Sequence, residues 1–475
     1  MQHSRRDFLH TAAGATAGLG LVGPLAVAHK PAARAAGPRV RKDIATLAAN
    51  SPDIVALKKA VGIMMDPNAK IPSCETWANW YGIHGAVNGG FNKCQHGNWY
   101  IWPWHRMYVY YFEQIVISLS GYAEFALPYW DWSKNPTIPG PFWQAPLLDT
   151  TRVVKQGQSI PTSQFNQFVS PTVINNILNL ASFASFGGTA NGGGELENTP
   201  HNFIHRWIGG DMVTAGSPKD AIFWMHHCNC DRLYSAWISK HPNGLPMSST
   251  WSDRQFNDFC GKGMKVSETS NSVNMGGAGK GYTYDKLNAA SALSVRALPE
   301  MESVDGPTTK SVASVGPAAA FALSPKDGAA KGIRRVTAGD VDLRASAISL
   351  ELHGIKVPEN QDVRVSVFIN APKPGPDLTE TDPHYVTSFT FFHGPHAAKD
   401  DHKEKMKDDG TVTKIVDATQ TIRRLFGAQT FGDDETLNVQ IVAAPLFPER
   451  QKEWNGTVQE LSPSEVKIIV STPKE

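Results

Sequence analysis

The spacing of apolar positions divides the chain into a helical part and a later part in which apolar and polar residues alternate. Over residues 77–87 apolar side chains recur every three or four positions, which predicts an amphipathic helix that carries His84. The runs at 106–119 and 223–234 predict two further helices. Residues 133–194 are rich in Pro, Gly, Asn and Ser, which indicates long loops with short helices.

The last part of the chain alternates between apolar and polar residues, as strands do. Val363, Val365 and Val367 fall on one face of a predicted strand, and residues 437–441 repeat the alternation. One short helix is predicted over 417–426, with a glycine as its C-cap. We therefore expect a mostly β C-terminal domain.

Composition places the boundaries between these parts. A chain of 475 residues is long enough for two or three domains. Residues 286–335 are rich in Ala, Ser and Pro, which predicts a linker. We expect a signal segment over 1–36, a helical domain over 37–285, this linker, and a β-rich domain over 336–475.

The N-terminus and the net charge bear on location and partners. The run SRRDFL at 4–9 resembles a twin-arginine export motif, and small residues at 26–28 and 33–35 offer two cleavage sites. We therefore expect export by the twin-arginine pathway to the periplasm or the medium. A formal charge of +1 gives no case for nucleic-acid binding, and no later apolar run is long enough to span a bilayer.

The five cysteines do not predict a disulfide framework in a chain of this length. Cys228 and Cys230 are too close in sequence to form a comfortable bridge. A bridge between Cys74 and Cys260 is compatible with the sequence but is not decided by it. Cys94 is unusual because a histidine follows two residues later.

Most of the candidate chemistry lies in two groups of histidines. His201 and His205 are four residues apart, so they share one face of a predicted helix. One such histidine alone would usually be structural, but two groups of three are hard to explain as packing. The groups are His84, His96 and His105, and then His201, His205 and His227.

The type of metal follows from what these groups contain. Neutral imidazoles suit copper, zinc, iron or nickel. Asn202 stands where a zinc protease would need Glu beside the first histidine of the pair. An iron site with two histidines and a carboxylate would need one group to lack a histidine, and neither group does. A pair of copper ions fits best, because Cu(I) accepts three nitrogen ligands and two such ions can bind O2 between them.

The two blocks resemble the CuA and CuB regions of the type-3 copper proteins, which are the tyrosinases, catechol oxidases and mollusc hemocyanins. The motif His-x8-His-Arg at 96–106, followed by an aromatic helix that reaches Glu113, is similar to the CuA block. The strings HNFIH at 201–205 and FWMHHCNCDRL at 223–233 are similar to the CuB block. One departure is Ala221, where the family usually has Pro.

The resemblance implies a four-helix bundle that holds two copper ions, which bind O2 as peroxide. His226 then lies just outside the ligand set, because the second histidine of the His-His pair is the ligand in this family. The implied ligands are His84, His96 and His105 for CuA, and His201, His205 and His227 for CuB.

Two smaller motifs gain a meaning from the resemblance. Cys94 is expected to form a thioether with His96, as in fungal enzymes and mollusc hemocyanins, since the position that plant enzymes use, 88, is Asn. The Tyr-x-Tyr at 282–284 resembles the mark that closes the catalytic domain, with Arg41 as its candidate partner.

The resemblance also implies a proton acceptor for a phenol. Glu197 is expected to hold a water that takes the proton, and Asn202 is expected to orient that water. Glu195 would take this role if the loop were shifted. Alternatively, Glu197 only faces a helix dipole and Asn202 is only a polar helix position.

Four more residues are expected around the site. Glu113 and Asp231 are candidates to accept hydrogen bonds from the ligand histidines and so orient them, or else they form ordinary ion pairs with nearby arginines. Val213 and Thr214 stand where plant enzymes often place Phe over CuA, so we expect a wider entrance that admits bulky phenols.

The C-terminal region resembles, more loosely, the C-terminal domain of plant polyphenol oxidases. The similarity involves residues 363–370, 382–384, 388–389, 394–396 and 403–406. Related enzymes stay latent until this domain is cleaved or displaced, so we expect a lid with one side chain in the copper site. The candidate side chains, which could equally be core residues, are Phe389, Phe391 and Phe392.

The function implied is copper-dependent oxidation of phenols by O2. A tyrosinase would hydroxylate monophenols and oxidise o-diphenols to o-quinones, and the Glu-Asn pair favours it. The alternatives are a catechol oxidase or o-aminophenol oxidase without monophenol activity, and a hemocyanin-like O2 carrier. The expected partners are small phenols and O2, with no nucleic acid and no membrane. Homo-oligomerisation is left open.

Overall fold

This computed structural model describes most of the chain outside the predicted export segment at 1–36. The linker of the predictions is described only in part, and the stretches at 394–396 and 403–406 lie outside the described residues. The described residues are 37–85, 91, 93–261, 263–274, 280–287, 301–309, 313–315, 318–342, 346–375, 378–392, 410–427, 435–450 and 461–473.

The first unit is helical, as predicted. Its main helices are Pro52–Met65, Trp77–His84, Ile101–Ser120, Asn202–Ile208 and Ile222–Lys240. Shorter α-helices are Thr162–Gln164, Pro171–Leu178, Phe183–Gly187, Ser249–Ser252 and Ser270–Asn274, and π-helical turns are Phe165–Val169 and Glu197–His201. Single 3-10 turns are Ile44–Thr46, Ser73–Glu75, Gly140–Trp143, Gly210–Val213 and Ser217–Lys219.

Helix Ile101–Ser120 is the centre of this unit. Pro103 lies in its first turn, where a missing N–H costs no hydrogen bond, and Gly121 ends it with a left-handed φ of 74°. The helix packs between Pro52–Met65 and Ile222–Lys240. Large aromatic side chains fill this core, and a buried ring stack joins two of the helices.

Two links tie the ends of the helical unit together. The short strand β1 (Arg39–Arg41) pairs in parallel with β4 (Tyr282–Tyr284). A disulfide joins Cys74 to Cys260, which the sequence had left undecided. Cys260 lies in β2 (Gln255–Gly261), which forms an antiparallel hairpin with β3 (Met264–Thr269).

The C-terminal unit consists of two antiparallel sheets around one core. The first sheet has the order β10-β9-β12-β7-β6, and the second has the order β11-β8-β13-β5. Apolar residues from both sheets and from helix Asp327–Ala338 form a common buried cluster. The strands are β5 (Met301–Thr309), β6 (Ala313–Val315), β7 (Ala318–Leu323), β8 (Ala347–Lys356), β9 (Val363–Ile369), β10 (Tyr385–Phe389), β11 (Thr411–Asp417), β12 (Leu437–Pro445) and β13 (Glu465–Pro473).

The predicted alternation and the predicted short helix are confirmed here. Val363, Val365 and Val367 are buried on one face of β9. The helix spans Thr419–Phe426 and ends at Gly427.

The prediction of a linker over 286–335 is wrong for much of that stretch. β5 pairs with β13, and β7 pairs with β12, so these strands belong to the two sheets. Ala319, Phe321 and Leu323 of β7 are buried, and the Ala-rich, Ser-rich composition around them hides this role. We propose that the C-terminal unit begins near residue 301 rather than at 336. No helix among the described residues is long and apolar enough to cross a membrane.

Candidate metal centre

Six buried histidines from five parts of the helical unit meet at one place. In the first group His84 ends helix Trp77–His84 and His105 lies in the second turn of Ile101–Ser120, with ring centroids 5.6 Å apart. His96, on the loop before that helix, lies 5.0 Å from His105. All three side chains are buried.

The second group forms an equally close set. The ring centroids of His201 and His205 are 4.6 Å apart, and those of His201 and His227 are 5.0 Å apart. The two groups abut, because His227 stacks on His105 at 4.3 Å with an angle of 11° between the rings. The structure therefore brings all six predicted ligands together.

Backbone carbonyls fix the orientation of three of these rings. Nδ1 of His84 donates to the Ala215 carbonyl at 2.6 Å, and Nδ1 of His205 donates to the Met212 carbonyl at 2.7 Å. Nδ1 of His105 donates to the Ile101 carbonyl at 2.8 Å. A carbonyl only accepts, so each Nδ1 carries the proton and each Nε2 keeps its lone pair.

Four of the six Nε2 atoms have no hydrogen-bond partner among the described residues. Buried Nε2 atoms without a hydrogen bond belong to His84, His96, His105 and His201. Nε2 of His205 and Nε2 of His227 face each other at 3.4 Å. Such orphaned lone pairs are costly in a packed interior unless an electrophile takes them.

Burial also keeps the imidazoles neutral, which is the form that binds metal. It lowers the pKa of His84 and of His201 to about 3. It lowers the pKa of the remaining four rings well below the usual value. The site thus offers neutral nitrogen donors throughout the physiological pH range.

His226 lies in the same cluster as the second group. Its donor atoms fall within 4.8 Å of those of His201, His205 and His227. However, its Nε2 lies 4.0 Å from Cys230 Sγ, whereas the ring of His227 stacks on His105 of the first group. We therefore keep His227 as the proposed ligand and place His226 beside the set.

Cys94 lies against the ring of His96, with Sγ 3.2 Å from Nδ1. The free nitrogen of this ring is Nε2, so the sulfur does not occupy that lone pair. Burial raises the pKa of the Cys94 thiol well above its ordinary value. This proximity suits the predicted thioether, which stays a prediction.

Glu113 and Asp231 do not orient the histidines, contrary to one of the two expectations. Glu113 accepts from Arg41 at 2.8 Å, and Asp231 accepts from Arg106 at 2.5 Å and from Arg41 at 3.1 Å. Both carboxylates are buried ion-pair partners instead. Burial would raise the pKa of Asp231, but the two guanidinium groups outweigh it and hold that pKa below its usual range.

The Tyr-x-Tyr motif belongs to this ionic network. The hydroxyls of Tyr282 and Tyr284 donate to Asp231 Oδ2 at 2.8 and 2.5 Å. Arg41 donates to the Tyr284 hydroxyl at 2.9 Å, as the sequence suggested. The network locks β1 and β4 onto helix Ile222–Lys240.

Glu197 is a buried carboxylate with one free oxygen. Its Oε1 accepts the N–H of Gly97 at 2.7 Å, whereas no described group bonds to Oε2. Burial raises the pKa of Glu197 to about 7, against the opposing effects of Lys414 and of the Gly97 N–H. A Cβ at Gly193 would lie 2.5 Å from Oε2, so a larger residue here would have to displace the Glu197 carboxylate.

Asn202 links the histidines to the C-terminal unit. Its Oδ1 accepts from Nδ1 of His201 at 2.9 Å, and its Nδ2 donates to the Thr390 carbonyl at 3.2 Å. Glu195 lies elsewhere in this interface, because it accepts from Thr387 and from the Asp417 N–H. Glu197 therefore remains the candidate for the carboxylate that holds the proton-accepting water.

One of the three predicted plug residues reaches the histidines. The ring of Phe392, just after β10, stacks on His205 at 4.0 Å and lies 5.2 Å from His96 and 5.8 Å from His201. Phe389 and Phe391 are instead part of the core of the C-terminal unit.

The loop that was predicted to control substrate entry holds two of the histidines through its backbone carbonyls. The Thr214 side chain is exposed, and its hydroxyl donates to the Asp211 carbonyl of the same loop. Val213 is only partly buried. The flanking residues Met212 and Ala215 supply the carbonyls that hold one histidine of each group. Backbone acceptors leave no residue-type signal, so the sequence did not reveal this function.

Comparison with known proteins gives the same class. The family model for the common central domain of tyrosinase matches residues 75–175 and 146–240. A tyrosinase of Hahella sp. (strain CCB-MM4) is 34% identical over 239 residues, which cover 42% of this chain and 50% of that relative. The chain spans about half the length of this curated relative. It spans 66% of the length of a tyrosinase of Streptomyces glaucescens and 41% of the length of polyphenol oxidase II of Ipomoea batatas.

Two solved structures share the fold across both units. Latent apple tyrosinase has a TM-score of 0.60 at 19% identity, with 93% of this chain and 99% of that chain covered. A functional unit of octopus hemocyanin has a TM-score of 0.51 at 17% identity, with 92% and 100% covered. The predicted fold class, a helical domain with a mostly β C-terminal domain, is confirmed.

The fold and the two groups of histidines are similar to those expected of a type-3 copper protein. Over residues 75–240 the chain matches the common central domain of tyrosinase, and the relatives it matches are tyrosinases and polyphenol oxidases.

Proposed function

We propose that this chain is an oxidoreductase that uses copper and O2 to oxidise phenols, by ortho-hydroxylating monophenols and converting o-diphenols to o-quinones. The observation that carries the proposal is the pair of abutting groups of three buried, neutral imidazoles, in which four Nε2 atoms have no hydrogen bond and the other two contact each other. One O2 is consumed per monophenol with release of one water, or per two o-diphenols with release of two waters.

The residues present fit two copper ions. Each group of three histidines offers three imidazole nitrogens as metal ligands, which satisfies the preference of copper for imidazole. His84, His96 and His105 would hold one ion, and His201, His205 and His227 the other. Bound copper would supply the electron transfer between phenol and O2.

The chain's own residues exclude water and handle protons. A phenol has a pKa of about 10 and must lose its proton to bind copper well. Glu197 Oε2 is buried and has no partner among the described residues, and Oε1 bonds to the N–H of Gly97, the residue after His96, so this carboxylate can hold a water that accepts the proton. Its pKa of about 7 means that the basic form dominates only above neutral pH.

Glu197→Gln is therefore expected to lower monophenol hydroxylation by about a hundred-fold and o-diphenol oxidation by less than about ten-fold. In the parent protein monophenol turnover should rise as pH increases through about 7, where the carboxyl deprotonates. Initial rates on both substrates between pH 5 and 9 measure this. Glu195→Gln is the matched control, since that carboxylate is also buried but bonds to the C-terminal unit. Equal loss on both substrates, or an unchanged pH profile, would count against the role of Glu197.

We also propose that the C-terminal unit is a lid whose plug is Phe392. Its ring contacts three histidines drawn from both groups, so a phenol cannot reach them while it is in place. The unit is held on by further contacts, including the ion pair of Arg206 with Asp362 and the bond from Gln167 to Ser388.

Phe392→Ala in the copper-loaded full chain tests both the lid and the enzyme. We expect o-diphenol oxidation, followed as O2 uptake and quinone formation, to increase by at least about ten-fold, since the substrate then reaches the metals. Phe391→Ala is the control, because it removes an equally buried ring from the core without uncovering a histidine. A rate unchanged by Phe392→Ala would contradict the lid. Reversible O2 binding without quinone formation in the opened protein would favour an O2 carrier instead.

A further inference from the structure

A buried lysine of the C-terminal unit lies beside the proposed proton acceptor. Lys414 is on β11 and is 1% exposed. Its Nζ donates to Asn198 Oδ1 at 2.8 Å and lies 5.5 Å from the centre of the Phe391 ring. Glu197 is the carboxylate whose charge acts on this ammonium group. The geometry agrees, because a Cβ built on Gly193 would lie 2.5 Å from Glu197 Oε2 and 3.0 Å from Asn198 Oδ1, which is the atom that accepts from Lys414.

Backbone pairing draws this lysine against the acceptor. Gly193 forms a parallel bridge with Lys414, in which the Gly193 N–H donates to the Thr413 carbonyl at 3.3 Å. The Ile415 N–H donates back to the Gly193 carbonyl at 3.0 Å. The same glycine is the residue whose missing Cβ leaves room for Glu197 Oε2. β11 and the Glu197 carboxylate thus both pack against Gly193.

The C-terminal unit also engages the second residue assigned to the water. Asn202 Nδ2 donates to the Thr390 carbonyl, and the Thr390 N–H donates to the Asn198 carbonyl at 3.1 Å. An amide that donates to Thr390 has one fewer N–H for a water. These contacts are separate from the stacking of Phe392 on the histidines.

We propose that Lys414 is a specificity-determining residue, whose ammonium group, held by Asn198 beside Glu197, places a positive charge near this carboxylate and thereby suppresses monophenol hydroxylation even when Phe392 has left the site. This inference rests on the proposed function. The proton concerned passes from the phenol oxygen to the water at Glu197, and a positive charge near the carboxylate makes it a weaker acceptor. The charge of Lys414 lowers the pKa of Glu197 and the charge of Glu197 raises the pKa of Lys414, as two opposite charges close to each other do.

The consequence is a lid with two separable actions. Removing the plug alone would give a protein that oxidises o-diphenols, which have a second hydroxyl and need no hydroxylation. Release of β11 would add monophenol hydroxylation. The ratio of the two activities would then report which contacts of the lid are broken.

The test uses the copper-loaded full chain with Phe392→Ala, with and without Lys414→Met, assayed at pH 7, because burial lowers the pKa of Lys414 to about 8 and the ammonium group is still mostly charged below that pH. We expect the added substitution to raise the ratio of monophenol to o-diphenol turnover by about ten-fold. Lys414→Gln, which keeps a donor for Asn198, should raise it too and covers the case in which the Met variant does not fold. Lys467→Met is the control, because this lysine pairs with exposed Asp305 on the far strands of the same unit. An unchanged ratio in the Met or Gln variant overturns the proposal.

A second readout does not depend on activity. In the copper-free full chain, Lys414→Met should speed hydrogen exchange of the Gly193 and Ile415 amides, which form the bridge, by about ten-fold or more. Unchanged exchange there overturns the proposal as well. If Phe392→Ala gives no o-diphenol oxidation, the proposed function fails, while the exchange measurement still decides whether Lys414 holds this segment.

Discussion

His84→Ala should reduce bound copper from about two ions per chain to about one, and should lower o-diphenol oxidation by more than about a hundred-fold. Loss of a group that merely orients a ligand already costs ten- to a hundred-fold in metal affinity or activity, so loss of a ligand should cost more. The structure gives His84 both features of a ligand. Its Nδ1 is fixed by the Ala215 carbonyl, and its buried Nε2 has no partner among the described residues.

His241→Ala is the matched control for this prediction. His241 is also buried and also lies at the end of a helix, but its Nε2 contacts the Leu178 carbonyl, away from the cluster. Copper content and rate should therefore stay close to those of the parent chain. If His84→Ala retained two copper ions and full turnover, its assignment as a ligand would be wrong. Metal analysis and rates are compared in the Phe392→Ala background, where the substrate can enter.

Asp231→Asn should destabilise the fold by about 3–5 kcal/mol. Asp231 is the shared acceptor of Arg41 and Arg106, and both guanidinium groups are buried. Without the carboxylate, two positive charges stay in the interior with less compensation. If the helical unit of roughly 250 residues unfolds by itself, the loss corresponds to a fall in its Tm of roughly 6–10 °C.

Thermal unfolding at neutral pH measures this loss, and Asp305→Asn is the control. The Asp305 side chain is 68% exposed, so its pair with Lys467 should contribute no more than about 1 kcal/mol. The pH dependence has a definite sign. The pKa of Asp231 is depressed in the folded state, so its contribution is complete above the unfolded pKa and is lost as pH falls through the folded pKa. Equal shifts in Tm for the two variants would contradict the importance of this network.

The histidine ligands could be predicted from the sequence because two groups of three histidines are hard to explain by anything other than metal binding. Helical spacing placed His201 and His205 on one face, and the family resemblance placed His96 and His227. The buried ion-pair network could be predicted only in part from the sequence. A carboxylate near a histidine in sequence suggests a hydrogen bond to it, but Glu113 and Asp231 face arginines instead.

Other features could not be predicted for physical reasons. The carbonyls of Met212 and Ala215 belong to the backbone, which every residue has. Phe389, Phe391 and Phe392 have the same side chain, and only the end of β10 decides which of them leaves the core. A lysine in an alternating strand is expected to face solvent, so nothing in the sequence indicated that Lys414 is buried.

The most direct test of the central claim, that six histidines hold a pair of copper ions, is the metal content of the purified full chain after exposure to equal amounts of copper and zinc. We expect two copper ions per chain and no retained zinc, with a substantial loss of copper when any one of the six histidines is replaced by Ala. Retention of a single metal ion, or of zinc in preference to copper, would contradict it.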